Sequence, residues 1–406
     1  MKISAASIHS PSALGSLEPN NKHNYNKTAE VLAEAKNTIT RFLRKSIANA
    51  SYEHMFGNGA QFRSDGLYPS RPHSTSGLKY LEIISADCLS AIESHLGKLT
   101  EQEQRLLGAV EASTWKYRHH TNGCVENDNT LNLLSFNALQ KNNIEHFTST
   151  NAEDITNLSN TDFIFMAVQL DDPSFPSQIR STLHCKIDYG ATAFLIDETY
   201  PSHRFSYITL TDQLTSQVPK ITDPYYKKYT EMFRIATKEA CREIYQPNTE
   251  KPPIFSTSHM KKGVALYLID FLRNTNDIAF RDALTAQPPS PAMLEFAMNC
   301  VFQLEFHIPR IVSTRDYLKI PVRKPDLYEL IRASNLPGLT ELLKTSSSEK
   351  VQSAIYEAQY QNNTTVLQHV ANYLKNPTTT DEHSGLLEMY EHYFNTSAPE
   401  LPPNSI

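Results

Sequence analysis

The chain has 406 residues, 40% of them hydrophobic and 20% charged, enough for two or three domains whose cores fold unaided. Its 38 Lys and Arg against 44 Asp and Glu give a net charge of −6 with the signs interspersed, which excludes the basic footprint of a nucleic-acid binder. Five scattered cysteines argue against a disulfide framework, and the longest apolar run, Phe163 to Val168, is far too short to span a bilayer.

Residues 1–27 are rich in Ser, Pro and Asn and lack an apolar signal core, so they predict a disordered leader. Type III secretion leaders and frayed termini share that composition. From Thr28 to Met55, Val31, Leu32, Ala35, Ile39, Phe42, Leu43 and Ile47 recur at helical steps, with Arg41, Arg44 and Lys45 among them. Two more helices are predicted, at Gly77–Leu96 and Thr100–Tyr117. The second is entered by a capping box, Thr100 to Glu103. Residues 28–150 thus read as an N-terminal helical region that ends in a polar, Asn-rich linker from His119 to about Asn160.

The pattern changes at Asp162. Short β-branched and aromatic runs at Phe163–Leu170, Ser181–Asp188, Ala193–Ile196 and Phe205–Leu210 predict strands. Helices are predicted at Pro224–Tyr245, His259–Arg273 and Pro291–Met298, the last with Ser290 as N-cap and Pro291 in its first position. A final strand is predicted within Cys300–Val312. The fold class read from this order is α+β, with the sheet domain at residues 151–322.

Residues 323–396 are helical and weakly repetitive. Leu327 to Leu343 is echoed 28 residues later by Ile355 to Val370, each a helix, a turn at Asn335 or Asn363, and a second helix. That layout is ankyrin-like, though the usual period is longer and the Thr-Pro-Leu-His signature is missing. Two pairs need further packing, on the preceding domain or on a third helical stretch at Gly385–Phe394. Residues 397–406 form a Pro-rich tail, read as disordered.

P-loop, dinucleotide-fold and zincin motifs are absent. His119, His120 and Cys124 lie in the predicted linker without a fourth close ligand, so no metal site is expected. What remains is polar residues on strands. Alternation places Gln303, Glu305 and His307 on one face of the last strand, about 7 Å apart. An acid and a His there either form a solvated face of an edge strand or meet a substrate. His184 is either a satisfied core group or a ligand contact. Tyr189 and Phe194 flank Gly190 and either belong to the core or stack on a planar heterocycle. Asp212 ends a strand, where side chains commonly line a cleft. One His early, aromatics between and a Glu on a late strand resemble the layout of ADP-ribosyltransferases.

The stretches Asp188–Asp197, Ile208–Asp212, Met260–Arg273, Val301–Thr314 and Phe42–Phe56 closely resemble the OspC family of bacterial type III secretion effectors, in the same order along the chain. The resemblance implies an ADP-ribosyltransferase-like split sheet and ADP-riboxanation of a host caspase arginine. In that reaction NAD gives up nicotinamide, and a second ring closure expels ammonia. It also implies activation by host calmodulin, action in the host cytosol after type III secretion, and a block on host cell death. By resemblance Glu305 matches the catalytic Glu and His307 the neighbouring His, His184 and Asp212 match active-site positions, and Phe194 falls in a matched stretch as a ring-stacking residue. Glu305, His307 and Asp212 are thus expected to be catalytic and His184 and Phe194 to contact NAD, to which the reading of the residues adds Tyr189 and Gln303. Two segments qualify as the calmodulin-binding helix, Thr38–Ile47 and His259–Arg273, and the first is favoured because the second is apolar enough to be a core helix. No membrane partner is expected. The C-terminal ankyrin-like part is shorter than in the family, so the alternative is a catalytically silent protein that sequesters calmodulin or a caspase.

Overall fold

The computed structural model describes residues 19–58, 71–142, 144, 160–170, 190–210, 253–275, 277–285, 287–302, 304–361, 363–375 and 386. These fall into two units, Met1–Ile47 and Ala48–Ile406. In the first, the described residues belong to helix α1 (Pro19–Asn58), whose Ile39, Phe42 and Leu43 are exposed.

The second unit takes in the last turns of α1, where Tyr52, Met55 and Phe56 are buried. Helix α2 (Gly77–Leu96) is capped by Ser76, whose hydroxyl accepts from the Lys79 amide. In α3 (Glu101–Ala112) the Thr100–Glu103 capping box forms as predicted. The helix ends five residues earlier than its apolar spacing suggests. Ser113 turns extended and its hydroxyl donates to the Val110 carbonyl (2.6 Å), freeing Trp115–Thr121 to form strand β1.

The predicted linker is therefore corrected: it contains strands and a helix. After β1 come β2 (Glu126–Asn127), β3 (Thr130–Leu134) and α4 (Phe136–Lys141). Then follow β4 (Phe163–Leu170), β5 (Thr192–Asp197), a short 3-10 turn at His203–Phe205, β6 (Tyr207–Thr209) and β7 (Ile254–Ser256). Helices α5 (Met260–Asn274), α6 (Ile278–Thr285) and α7 (Pro291–Val301) precede β8 (Glu305–Pro309), β9 (Ile311–Thr314) and β10 (Leu318–Pro321). The predicted strands at Ser181–Asp188 and the helix at Pro224–Tyr245 lie outside the described residues.

Seven strands form one sheet in the order β10-β5-β1-β4-β8-β6-β7, and its pairings are antiparallel. Because β1 joins β4 and β5, the sheet crosses the boundary drawn from sequence near residue 150. A second sheet runs β2-β3-β9. Side chains alternate across a strand, so the registers sort the large sheet into two faces. On one face Phe306, Met166, Tyr117, Phe194, Ile208 and Phe255 join a core built with α5 and α7. Gly263 of α5 permits this closeness, since a Cβ there would sit 2.7 Å from the Phe255 ring. The other face carries Glu305 and His307, and over Phe163 and Tyr207 it packs against Tyr52 and Tyr80. Gly190 enters β5 at φ +155°, where a Cβ would meet the Thr121 backbone at 2.3 Å, so only glycine fits.

Two helix pairs follow, α8 (Leu327–Arg332) with α9 (Leu336–Leu343), and α10 (Ser348–Tyr360) with α11 (Thr364–Leu374). They share a core of Leu330, Ile331, Leu339, Leu343, Val351, Ile355, Val366 and Val370. Asn335 and Asn363 cap the second helix of each pair, accepting from the Gly338 and Val366 amides (each 3.0 Å). Asn335 also donates to the Asn122 carbonyl (2.6 Å), which ties the pairs to the turn after β1. Of the third predicted stretch, only Leu386 is described.

Candidate active site around Glu305 and His307

The stretch Cys300–Val312 does not form one strand. Helix α7 continues to Val301, β8 begins at Glu305, and Arg310 takes a left-handed φ of 53° that throws β9 into the other sheet. Asp162, at the start of β4, holds that break. Its backbone carbonyl accepts from the Arg310 amide (2.8 Å), and its carboxylate accepts from Arg310 Nε and Nη2 (3.0 and 2.6 Å). Ser51 and Ser135 also donate to it (2.7 and 3.0 Å), so a fully buried carboxylate is satisfied by three residues far apart in sequence.

Strand β8 lies between β4 and β6 and is not an edge strand. In register, Ala167, Glu305 and Thr209 form one row, and Phe165, His307 and Tyr207 the next. The expectation of an open face holds only at Glu305, whose side chain is 22% exposed, while that of His307 is fully buried. His307 lies between two rings. Tyr207 stacks flat on it (centroids 4.2 Å apart, 7° between planes), and Phe165 meets it edge-on (4.8 Å, 72°).

Burial pushes the His307 pKa down to about 3, so the imidazole is neutral over the physiological range. Its Nε2 stands 3.3 Å from Thr209 Oγ1 and 3.6 Å from Glu305 Oε2. With a neutral ring and that spacing, the Glu305 contact is polar and not an ion pair. The Nε2–H tautomer suits both neighbours, and Nδ1 then carries a lone pair that finds no partner among the described residues. Such a site can present a partly exposed carboxylate as hydrogen-bond acceptor, proton acceptor or anionic stabiliser. The neutral imidazole braces it without neutralising it.

Of the residues singled out from sequence, the structure brings together Glu305 and His307. Phe194 does not join them. It sits on β5, three strands from β8, and points into the opposite, core face beside Tyr317 and Lys319. It is 2% exposed there, apart from the Glu305–His307 pair. Asp212, His184, Tyr189 and Gln303 lie outside the described residues. His119 and His120 fall on β1, where His119 Nδ1 contacts the Phe165 carbonyl (3.0 Å) and His120 Nδ1 the Gly190 carbonyl (3.3 Å). Among the described residues no group of three or more His, Cys, Asp or Glu is placed to hold a metal ion.

Sequence reasoning missed Tyr207, Thr209, Phe165 and Arg118. Arg118 on β1 pairs in register with Ala167, which pairs with Glu305, so all three share a row on one face. It is 5% exposed, and its Nη1 donates to Gln169 Oε1 (3.4 Å). The signal that would have found it is the alternation Trp115-Lys-Tyr-Arg118, hidden by its apparent continuity with the helix before it.

Residues 176–381 match the model of the family described as Shigella flexneri OspC protein. The chain is 35% identical over 314 residues to arginine ADP-riboxanase OspC3 of Shigella flexneri, covering 75% of this chain and 63% of that protein. It is 33% identical over 325 residues to arginine ADP-riboxanase OspC1 of Shigella flexneri, 79% of this chain and 67% of the relative. With arginine ADP-riboxanase CopC of Chromobacterium violaceum the identity is 34% over 317 residues, 77% and 65% of the two chains. The chain thus spans slightly under two thirds of the length of OspC3 and CopC. By both the family model and these relatives, the chain belongs to the OspC family.

Proposed function

We propose that this protein is an NAD-consuming arginine ADP-riboxanase that acts on a host caspase. The observation that carries the reading is the placement of Glu305, partly exposed beside a neutral and fully buried His307, on an interior strand of the sheet. The names of the relatives support it. NAD is substrate here, consumed in the reaction.

Arginine is a poor nucleophile because its guanidinium stays protonated far above neutral pH. A carboxylate must orient it and, as general base, take a proton as the C–N bond to the ribose forms and the bond to nicotinamide breaks. Glu305 takes that role and offers its charge to the cationic ribosyl centre. In the second step a ribose hydroxyl attacks the guanidine carbon. The new C–O bond replaces a C–N bond, and the hydroxyl's proton is passed to the departing nitrogen, which leaves as ammonia; Asp212 is our candidate for that relay. His307 braces Glu305, and His184, Tyr189 and Gln303 are proposed to contact NAD.

Calmodulin activation rests on the segment Thr38–Ile47. Ile39, Phe42 and Leu43 there are exposed at 60%, 68% and 54%, a solvent-facing apolar stripe flanked by Arg41, Arg44 and Lys45. Packing supports this choice over the alternative segment. In α5, Val264, Leu266, Leu268 and Phe271 are buried in the protein's own core. We propose type III secretion into the host cytosol, an outcome that blocks host cell death, and a target-selecting role for the two ankyrin-like helix pairs. No helix of the described residues is long and apolar enough to cross a membrane.

The test is incubation with NAD, calmodulin and a panel of caspases, read by intact mass. The reading expects one caspase to gain ADP-ribose less ammonia, and a calmodulin-dependent rate. Tight caspase or calmodulin binding without any mass change would favour the sequestering alternative.

A further inference from the structure

The His307 ring is placed by unusually weak polar contacts. Its Nδ1 has no partner among the described residues, and its Nε2 contacts are long, at 3.3 and 3.6 Å. Rotation about the last side-chain bond of a histidine is soft, with broad wells related by half a turn. Hydrogen bonds normally settle it. Here packing must do so.

Tyr207 is the group that can. It is the direct cross-strand partner of His307 and covers one face of the imidazole almost parallel, at 4.2 Å and 7°. Tyr207 is itself fixed from behind, edge-on to Phe163 (5.2 Å, 82°) and tilted against Tyr52 (6.0 Å, 57°). Tyr52 in turn donates its hydroxyl to the Phe205 carbonyl (2.8 Å), which anchors the cluster two residues before Tyr207. Phe165 closes the other side of the imidazole. The stack sets the plane of the ring, and Thr209, two residues along the same strand, decides which edge faces Glu305.

We propose that Tyr207 is a positioning residue for the Glu305–His307 pair: its ring holds the imidazole in the one plane that aims Nε2 at Thr209 and Glu305. The proposal deepens the catalytic reading above and rests on it for its kinetic consequence, while its structural consequence stands alone.

The experiment uses the full chain with ¹⁵N-histidine labelling, comparing wild type, Tyr207→Phe and Tyr207→Leu, each checked for folding by thermal melt. The ¹⁵N spectrum of wild type and of Tyr207→Phe is expected to show His307 as a single Nε2–H tautomer. In Tyr207→Leu the same signals are expected to move toward a tautomer mixture. In the riboxanation assay Tyr207→Phe keeps wild-type turnover. Tyr207→Leu loses roughly tenfold or more in kcat with little change in KM for NAD, the signature of lost alignment. A mixed tautomer in wild type overturns the proposal outright, whether or not Tyr207→Leu folds. So does an unaltered His307 spectrum in a folded Tyr207→Leu protein, or a Tyr207→Phe variant as impaired as Tyr207→Leu. A wild-type protein that leaves its caspases unmodified defeats the enzymatic reading and leaves the spectroscopic result to decide this one.

Discussion

Arg310 closes on Asp162 across 148 residues of chain, and this pair is what ends the strand that carries Glu305 and His307. The guanidinium donates twice to a carboxylate that is 1% exposed, at 2.6 and 3.0 Å. Asp162→Ala would leave Arg310, Ser51 and Ser135 without an acceptor they use. We expect a loss of roughly 2–3 kcal/mol, below the range for a fully buried pair because the Arg310 head still reaches water. A urea-unfolding series checks this, and a loss under 1 kcal/mol by that measure, roughly one hydrogen bond's worth, would show the break to be held by other contacts.

Glu305→Gln removes a charge and leaves the shape intact, so the fold should survive. Activity should fall by roughly a hundredfold or more, the usual scale for losing a group that transfers a proton. Circular dichroism with the caspase assay reads both. A folded Glu305→Gln protein that works at near wild-type rate would remove Glu305 from the chemistry.

His307→Ala is a different kind of change. The side chain is fully buried between Phe165 and Tyr207, so its removal opens a cavity costing about 2–4 kcal/mol. The expected order is that Glu305→Ala impairs catalysis more and His307→Ala impairs stability more. Melting temperature and single-turnover rate, measured on both variants, separate the two effects.

Stability should fall as the medium is acidified through the weakly acidic range. Burial lowers the pKa of His307 and of His203 to about 3, while the unfolded chain takes up a proton near 6.5. Between those values the unfolded state binds more protons than the native one. Unfolding free energy therefore rises with pH there, by up to about 1.4 kcal/mol per unit for each group. His203 meets Tyr117 edge-on at 4.5 Å in the core, away from Glu305. Urea midpoints from pH 7 to 5 should drop in wild type and drop less steeply in His203→Leu. Equal slopes in the two proteins would contradict the account.

Phe42 and Leu43 are exposed, so changing both to Asp removes no core contact. The melting temperature should hold while calmodulin pull-down is lost. Undiminished binding by the folded double variant would exclude the segment.

Much of the local structure was legible because it depends on near neighbours. The Thr100–Glu103 capping box, Pro291 after the Ser290 cap, the apolar run of β4, and the Asn335 and Asn363 turns are each settled within four or five residues. The failures are long-range. Helix α3 stops without a Gly or Pro, so its neighbour β1 read as more helix and then as linker. The break at Arg310 depends on Asp162, far away in sequence. The alternation around Glu305 was visible, but burial of His307 was not. It follows from β8 having a strand on each side and a layer of aromatics above, including Tyr52 from α1. Phe194 followed the same logic in reverse, with a turn nearby but a core on its face.

The most direct test of the central claim is release of nicotinamide and ammonia from NAD and a caspase in the presence of calmodulin, comparing wild type with Glu305→Gln. The account predicts one nicotinamide and one ammonia for each caspase modified by wild type, and almost none from the variant. Equal release by the two proteins, or none from either, would contradict it.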